Sequence, residues 1–201
     1  VPDPAWAAHI VRAHARSSAA VIGGPIDKRV PDDADAWAAY LIEYGRYMPP
    51  VTAGRVMSCS DCNVSYKHAA LREVASEWQT VFHETAVHRA IVARGGILEI
   101  DPAIVVRQSR VIDATGFRRE RRHHGRTYGA QRAADRPLPV RAVLALGAAA
   151  IPFLFVARAR QRVRDAGRAA ELPAGTWGRL FGASVQWAVG EGVGVLTGRG
   201  S

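Results

Sequence analysis

Polar and apolar positions follow two different periods along the first half of the chain. Residues 3–16, DPAWAAHIVRAHAR, return apolar side chains every three or four positions, which predicts a helix with Asp3 as N-cap and Pro4 at its first position. AAVIGGPI (19–26) is a short apolar run broken by Gly-Gly-Pro, the pattern of a buried strand ending in a loop. ADAWAAYLIEYGRYM (34–48) predicts an amphipathic helix stopped by Pro49-Pro50. CNVSYK (62–67) reads as a short strand leading into a helix over 68–75, and residues 80–94 read as a further helix closed by Gly95-Gly96. GILEIDPAIVV (96–106) gives two strand-like pieces around Asp101-Pro102. Strands that alternate with helices predict an α/β layered fold. With so few strands, the sheet is expected to keep an open, apolar edge.

The pattern changes after residue 107. GFRRERRHHGRTYGAQRAADR (116–136) is dense in Arg, whereas AVLALGAAAIPFLFVA (142–157) carries no charge. RARQRVRDAGR (158–168) is basic again, and residues 180–198 are apolar apart from Gln186 and Glu191. A membrane crossing needs roughly 17–25 apolar residues, and one flank should be poor in positive charge. The run 142–157 is shorter and basic on both sides. It therefore predicts a segment that lies in or dips into a membrane interface, bent at Pro152, with the helix of 116–134 along the surface.

Charge sharpens the division. The chain has 201 residues and a net charge of +9, concentrated beyond residue 107, while residues 1–106 are slightly acidic. A basic tail on a mildly acidic body points to a polyanionic partner, either nucleic acid or an anionic membrane face. Base-stacking aromatics are few in 107–136 and no nucleic-acid motif occurs, so the membrane is the expected partner. Cys59-x-x-Cys62 has no second pair to complete a zinc site and reads as two ordinary thiols. The chain opens at Val1 without Met or a signal peptide, which reads as a cut.

The stretch FHETAVHRAIVARGG (82–96) holds the most suggestive chemistry. A zinc-protease helix carries two His four apart on one face, but His83 and His88 are five apart, about 140° out of register. One metal ion does not take both. Asp33-Ala34-Asp35 sits where a helix opens, so N-capping accounts for it. Glu84 lies near the start of the fourth predicted helix of the α/β half, and the first turn of a helix suits a negative charge.

AAVIGGPI, YLIEYGRYMPP, CNVSYKHAAL, HETAVHRAIVARGG, ILEIDPAIVV and HHGRTYG occur in the order and spacing of a bacterial family 2 glycosyltransferase. The chain resembles the second half of that family's GT-A catalytic domain (1–106), followed by its basic, membrane-proximal helical tail (107–201). The resemblance implies an inverting transferase that moves a sugar from a nucleotide-diphosphate donor to a glycan or lipid-linked hydroxyl acceptor. It assigns Glu84, eleven residues before Gly95, to general base, with its carboxylate facing the same cleft as Asn63 and Tyr66. Asn63, Ser65 and Tyr66 match the family's N-x-S-Y segment beside the sugars, Gly23 and Gly24 match the strand end near the donor, and Trp78 is a candidate to stack on acceptor. On this resemblance the chain looks like a family member without its donor-binding half and that half's Asp-x-Asp motif. A divalent ion, Mg or Mn, is expected for the full enzyme, with ligands outside this chain and no metal residue within it. Gln108 stands where the family often has His, which leaves a third protein ligand in doubt. RRERRHH is not the Q-x-x-R-W signature of processive synthases, so a single transfer is expected. The implied location is the cytoplasmic face of the bacterial inner membrane. The alternative is a non-enzymatic membrane- or nucleic-acid-binding protein with a glycosyltransferase-like body.

Overall fold

The computed structural model describes residues 1–29, 33–80, 82–109 and 111–200. The chain forms two compact units: Val1–Arg29 with Tyr47–Ser109, and Val30–Arg46 with Arg110–Ser201.

The first unit is mixed α/β around a small mixed sheet. Its strands are β1 (Val21–Gly23), β2 (Ile26–Lys28), β3 (Gly54–Arg55), β4 (Val64–Tyr66), β5 (Leu98–Ile100) and β6 (Val106–Gln108). Four of them line up as β3-β5-β1-β4, while β2 and β6 form a parallel pair. Ile22 of β1 faces Glu99 across a parallel pairing and Ser65 across an antiparallel one. Successive strand residues point to opposite faces. Val21 accordingly joins Leu98, Val87 and Ile91 in one core cluster, and Ile22 joins Ala13, Ala19 and Ile104 in another.

Helices cover both faces. α1 (Trp6–Arg16) supplies the Ile22 side. Helix α1 starts two residues later than the sequence predicts. Asp3 instead ties the turn before it, accepting from the Ala5 amide at 3.1 Å through its carboxylate and from the Trp6 amide at 2.9 Å through its carbonyl. The helices over His68–Glu73 and Glu84–Ala93 supply the Val21 side. Gly95 ends the second of these at φ +84°, a conformation open to glycine without strain. Strand β3 has only two residues, both exposed, so no apolar alternation marks it in the sequence.

The second unit is helical among the described residues. It contains α2 (Ala34–Glu43), then, after α3 (His68–Glu73) and α4 (Glu84–Ala93) of the first unit, α5 (Ala114–Ala133), α6 (Leu138–Ala148), α7 (Ile151–Asp165) and α8 (Thr176–Thr197). The sequence reading gave residues 34–48 to the first half, yet α2 packs on α8. Every residue from Ala36 to Leu41 is buried, so α2 is a core helix with no solvent face over that stretch. Asp33 caps it, accepting from the Ala36 amide at 2.8 Å, and Asp35 pairs with Arg179 at 3.7 Å.

Helices α5 and α8 touch backbone to backbone. A Cβ on Gly125 would stand 2.3 Å from the Trp187 carbonyl oxygen, and one on Gly129 would stand 2.2 Å from that of Glu191. Gly190 and Gly194 meet the Arg122 and Arg126 carbonyls in the same way, at 2.0 Å each. Two Gly-x-x-x-Gly faces therefore cross with no side chain between them. Beside this crossing Glu191, only 1% exposed, accepts from the Arg132 guanidinium and from the Trp187 indole N–H at 2.9 Å.

The uncharged run 142–157 is not one helix. It breaks between α6 and α7, which are bent by 46°, and Pro152 sits in the first turn of α7, where its missing N–H costs nothing. No single helix among the described residues is long and apolar enough to cross a membrane; α6 and α7 reach that length and composition only as a bent pair.

Candidate functional site

Glu84 is the first residue of α4, and its carboxylate accepts from the Thr85 hydroxyl at 3.1 Å. One helical turn on, at the spacing that places side chains on one face, lies His88. His88 is 1% exposed, and its Nε2 hydrogen-bonds the Tyr66 hydroxyl at 2.9 Å. The two rings stack with centroids 5.8 Å apart. Phe82 meets the edge of Tyr66 at 6.2 Å and is itself 46% exposed. The result is a carboxylate at a helix start, backed by a Tyr–His pair and flanked by an accessible aromatic ring.

Electrostatics ties the three polar groups together. Burial raises the Tyr66 phenol well above its ordinary range, and the nearby Glu84 and Asp61 carboxylates raise it further. Burial lowers the His88 imidazole, and the Glu84 carboxylate opposes that shift. At neutral pH the Tyr is thus a neutral hydroxyl and His88 a neutral imidazole. His88 Nδ1 is buried without a hydrogen-bond partner.

The residues predicted from the sequence separate into two groups. Tyr66 shares the sheet face of α3 and α4 with the cluster that includes Trp78. Asn63 and Ser65 turn to the α1 face. The Asn63 amide donates to the Pro25 and Ile104 carbonyls at 2.8 and 2.7 Å, and its oxygen accepts from the Trp6 indole at 2.9 Å. Ser65 donates to the Ile22 carbonyl at 2.9 Å and meets His14 Nε2 at 3.0 Å. These groups are occupied in holding the unit together, so Asn63 and Ser65 do not share the side of the sheet where Tyr66 meets α4. Gly23 and Gly24 are close-approach glycines: a Cβ would stand 2.7 Å from Cys59 Cβ and 1.9 Å from the Ile104 carbonyl oxygen, respectively. Trp78 is half-buried, and its indole donates to the Leu71 carbonyl at 2.9 Å.

His83 is exposed and His88 buried, so the two do not converge. Among the described residues no group of three His, Cys, Asp or Glu side chains is arranged to hold a metal ion. The sequence reading considered His88 only as a metal partner of His83. The signal for its actual place was the Glu84-to-His88 spacing of four, which puts both on one helix face.

No family model matches the chain, and no curated protein or solved structure matches it either.

Proposed function

We propose that the protein acts as an inverting glycosyltransferase of family 2 type, with the first unit forming the acceptor side of a GT-A domain. The observation that carries this reading is the Glu84 carboxylate at the start of α4, beside the Tyr66–His88 pair and the exposed Phe82 ring. An acceptor hydroxyl is a weak nucleophile. Glu84 takes its proton while the oxygen attacks the anomeric carbon, the bond from that carbon to the nucleoside diphosphate breaks, and the configuration inverts. Tyr66 and His88, both neutral, form a firm wall that fixes the Glu84 turn. Phe82 offers an apolar face to a pyranose ring. The resemblance puts the ligands of a divalent ion on the leaving diphosphate outside this chain, whose proposed part is acceptor binding and proton removal. The basic helical unit suits an anionic membrane surface, which fits a lipid-linked or envelope-glycan acceptor.

The test is sugar transfer from a panel of radiolabelled nucleotide-diphosphate sugars by the protein expressed from its complete reading frame. Glu84→Gln is expected to lower turnover by about 10²–10⁴-fold with donor affinity nearly unchanged. A variant that keeps most of its activity removes Glu84 from the role of base.

A further inference from the structure

The helical unit carries a groove that the transfer chemistry does not use. It lies between α7 and α8 and has a volume of about 460 Å³, inside the range of small-molecule sites. Phe153, Val156 and Ala157 of α7 line one wall, and Trp177, Gly178 and Phe181 of α8 line the other. The helices run so that Phe153 meets Phe181 at one end, with centroids 5.4 Å apart. At the other end the Arg160 guanidinium lies 5.3 Å over the Trp177 ring. From Phe153 to Arg160 is about 10 Å along the helix axis.

The groove is therefore polarised lengthwise. Its Phe end opens to solvent through apolar surface: Phe153 is 67% exposed and Leu154 49%. Its Arg end continues into Arg164, one helical turn beyond Arg160 and exposed. Among the described residues Arg160 has no carboxylate partner. An apolar channel that ends in an unanswered cation is complementary to one molecule type: an amphiphile with an acyl chain and an anionic head.

We propose that this groove binds an anionic phospholipid from the bilayer, with its acyl chain against Phe153, Val156, Ala157 and Phe181 and its phosphate on Arg160. Arg is suited to this because the edge of its planar guanidinium takes phosphate oxygens in pairs while its face lies over the Trp177 ring. The site does not depend on Glu84 being a base. It also differs from general attraction of a basic tail to a charged surface, because it places one acyl chain beside one tryptophan.

Gly178 offers a clean perturbation. A Cβ there meets nothing within 4 Å, so Gly178→Leu fills the channel without pushing on the backbone. The experiment uses vesicles of phosphatidylglycerol brominated on the acyl chain and, separately, of phosphatidylcholine brominated in the same way. The readout is tryptophan quenching, with the Trp177 share taken as the difference between the chain and Trp177→Phe. Brominated phosphatidylglycerol is expected to quench Trp177. Arg160→Gln is expected to weaken that binding by about fivefold, the worth of one Arg at a charged surface. Gly178→Leu is expected to abolish Trp177 quenching while the variant still sediments with the vesicles. Three results overturn the proposal: Trp177 unquenched on vesicles that hold the chain, quenching unchanged by Gly178→Leu, or no binding to either vesicle.

Discussion

At the scale of single residues, the buried His88 and half-buried His14 imidazoles make stability depend on pH in a fixed direction. Burial is the largest cause of the lowered values of His88 and His14. Each folded value lies below the ordinary 6.5, so between that folded value and 6.5 the unfolded chain binds more protons than the folded one. Their contribution is complete above about pH 7 and is lost as pH falls through 6.5. The thermal midpoint is expected to be level above pH 7 and to decline toward pH 5. His88→Gln should remove part of that slope, whatever its baseline midpoint. An NMR titration showing His88 half-protonated at or above pH 6.5 would contradict the burial argument. Glu84 and Tyr66 were legible in the sequence as candidates, but the division of Asn63 and Ser65 from them was not. That division depends on the strand pleat and on which carbonyls Asn63 finds, and the letters N-V-S-Y do not record either.

Among elements, the α5–α8 crossing shows how glycine position rather than glycine content decides stability. Gly182 and Gly194 both lie in α8. A Cβ on Gly182 meets nothing within 4 Å, whereas one on Gly194 would stand 2.0 Å from the Arg126 carbonyl oxygen. Gly182→Ala is expected to stabilise the helical unit by up to about 1 kcal/mol through helix propensity. Gly194→Ala must spread the two helices and should cost about 1–3 kcal/mol. Thermal melts of the two variants, moving in opposite directions, check the contact; a shared direction refutes it. Periodicity located most helices and the buried strand β1 within a few residues. It did not reveal that α2 belongs to the helical unit, because a helix buried all round states that it needs neighbours without naming them. The expected bend of the apolar run at Pro152 falls slightly earlier, at Ala149-Ala150, and Pro152 sits in the first turn of α7.

For the whole molecule, the division into an α/β unit and a helical unit matches the change in charge that the sequence displays after residue 107, apart from the segment containing α2. Within the helical unit α8 is the common support: α2, α5, α6 and α7 all pack on it. This places a constraint in time. A ribosome releases α2 more than a hundred residues before α8, and α5, with its dense row of Arg side chains, more than forty residues before it. An isolated helix so charged holds itself together poorly. The early helices must therefore wait, unsupported, until synthesis is nearly past residue 197. Chains arrested on the ribosome with residue 176 just emerged should be cut readily by protease within 114–133, while chains arrested after residue 197 has cleared the exit tunnel should be protected there. Equal protection at both arrest points would mean that α5 finds its support elsewhere. Assembly of this half is thus gated by the arrival of one late segment, and a cell that shortens the message inside α8 loses five helices, not one.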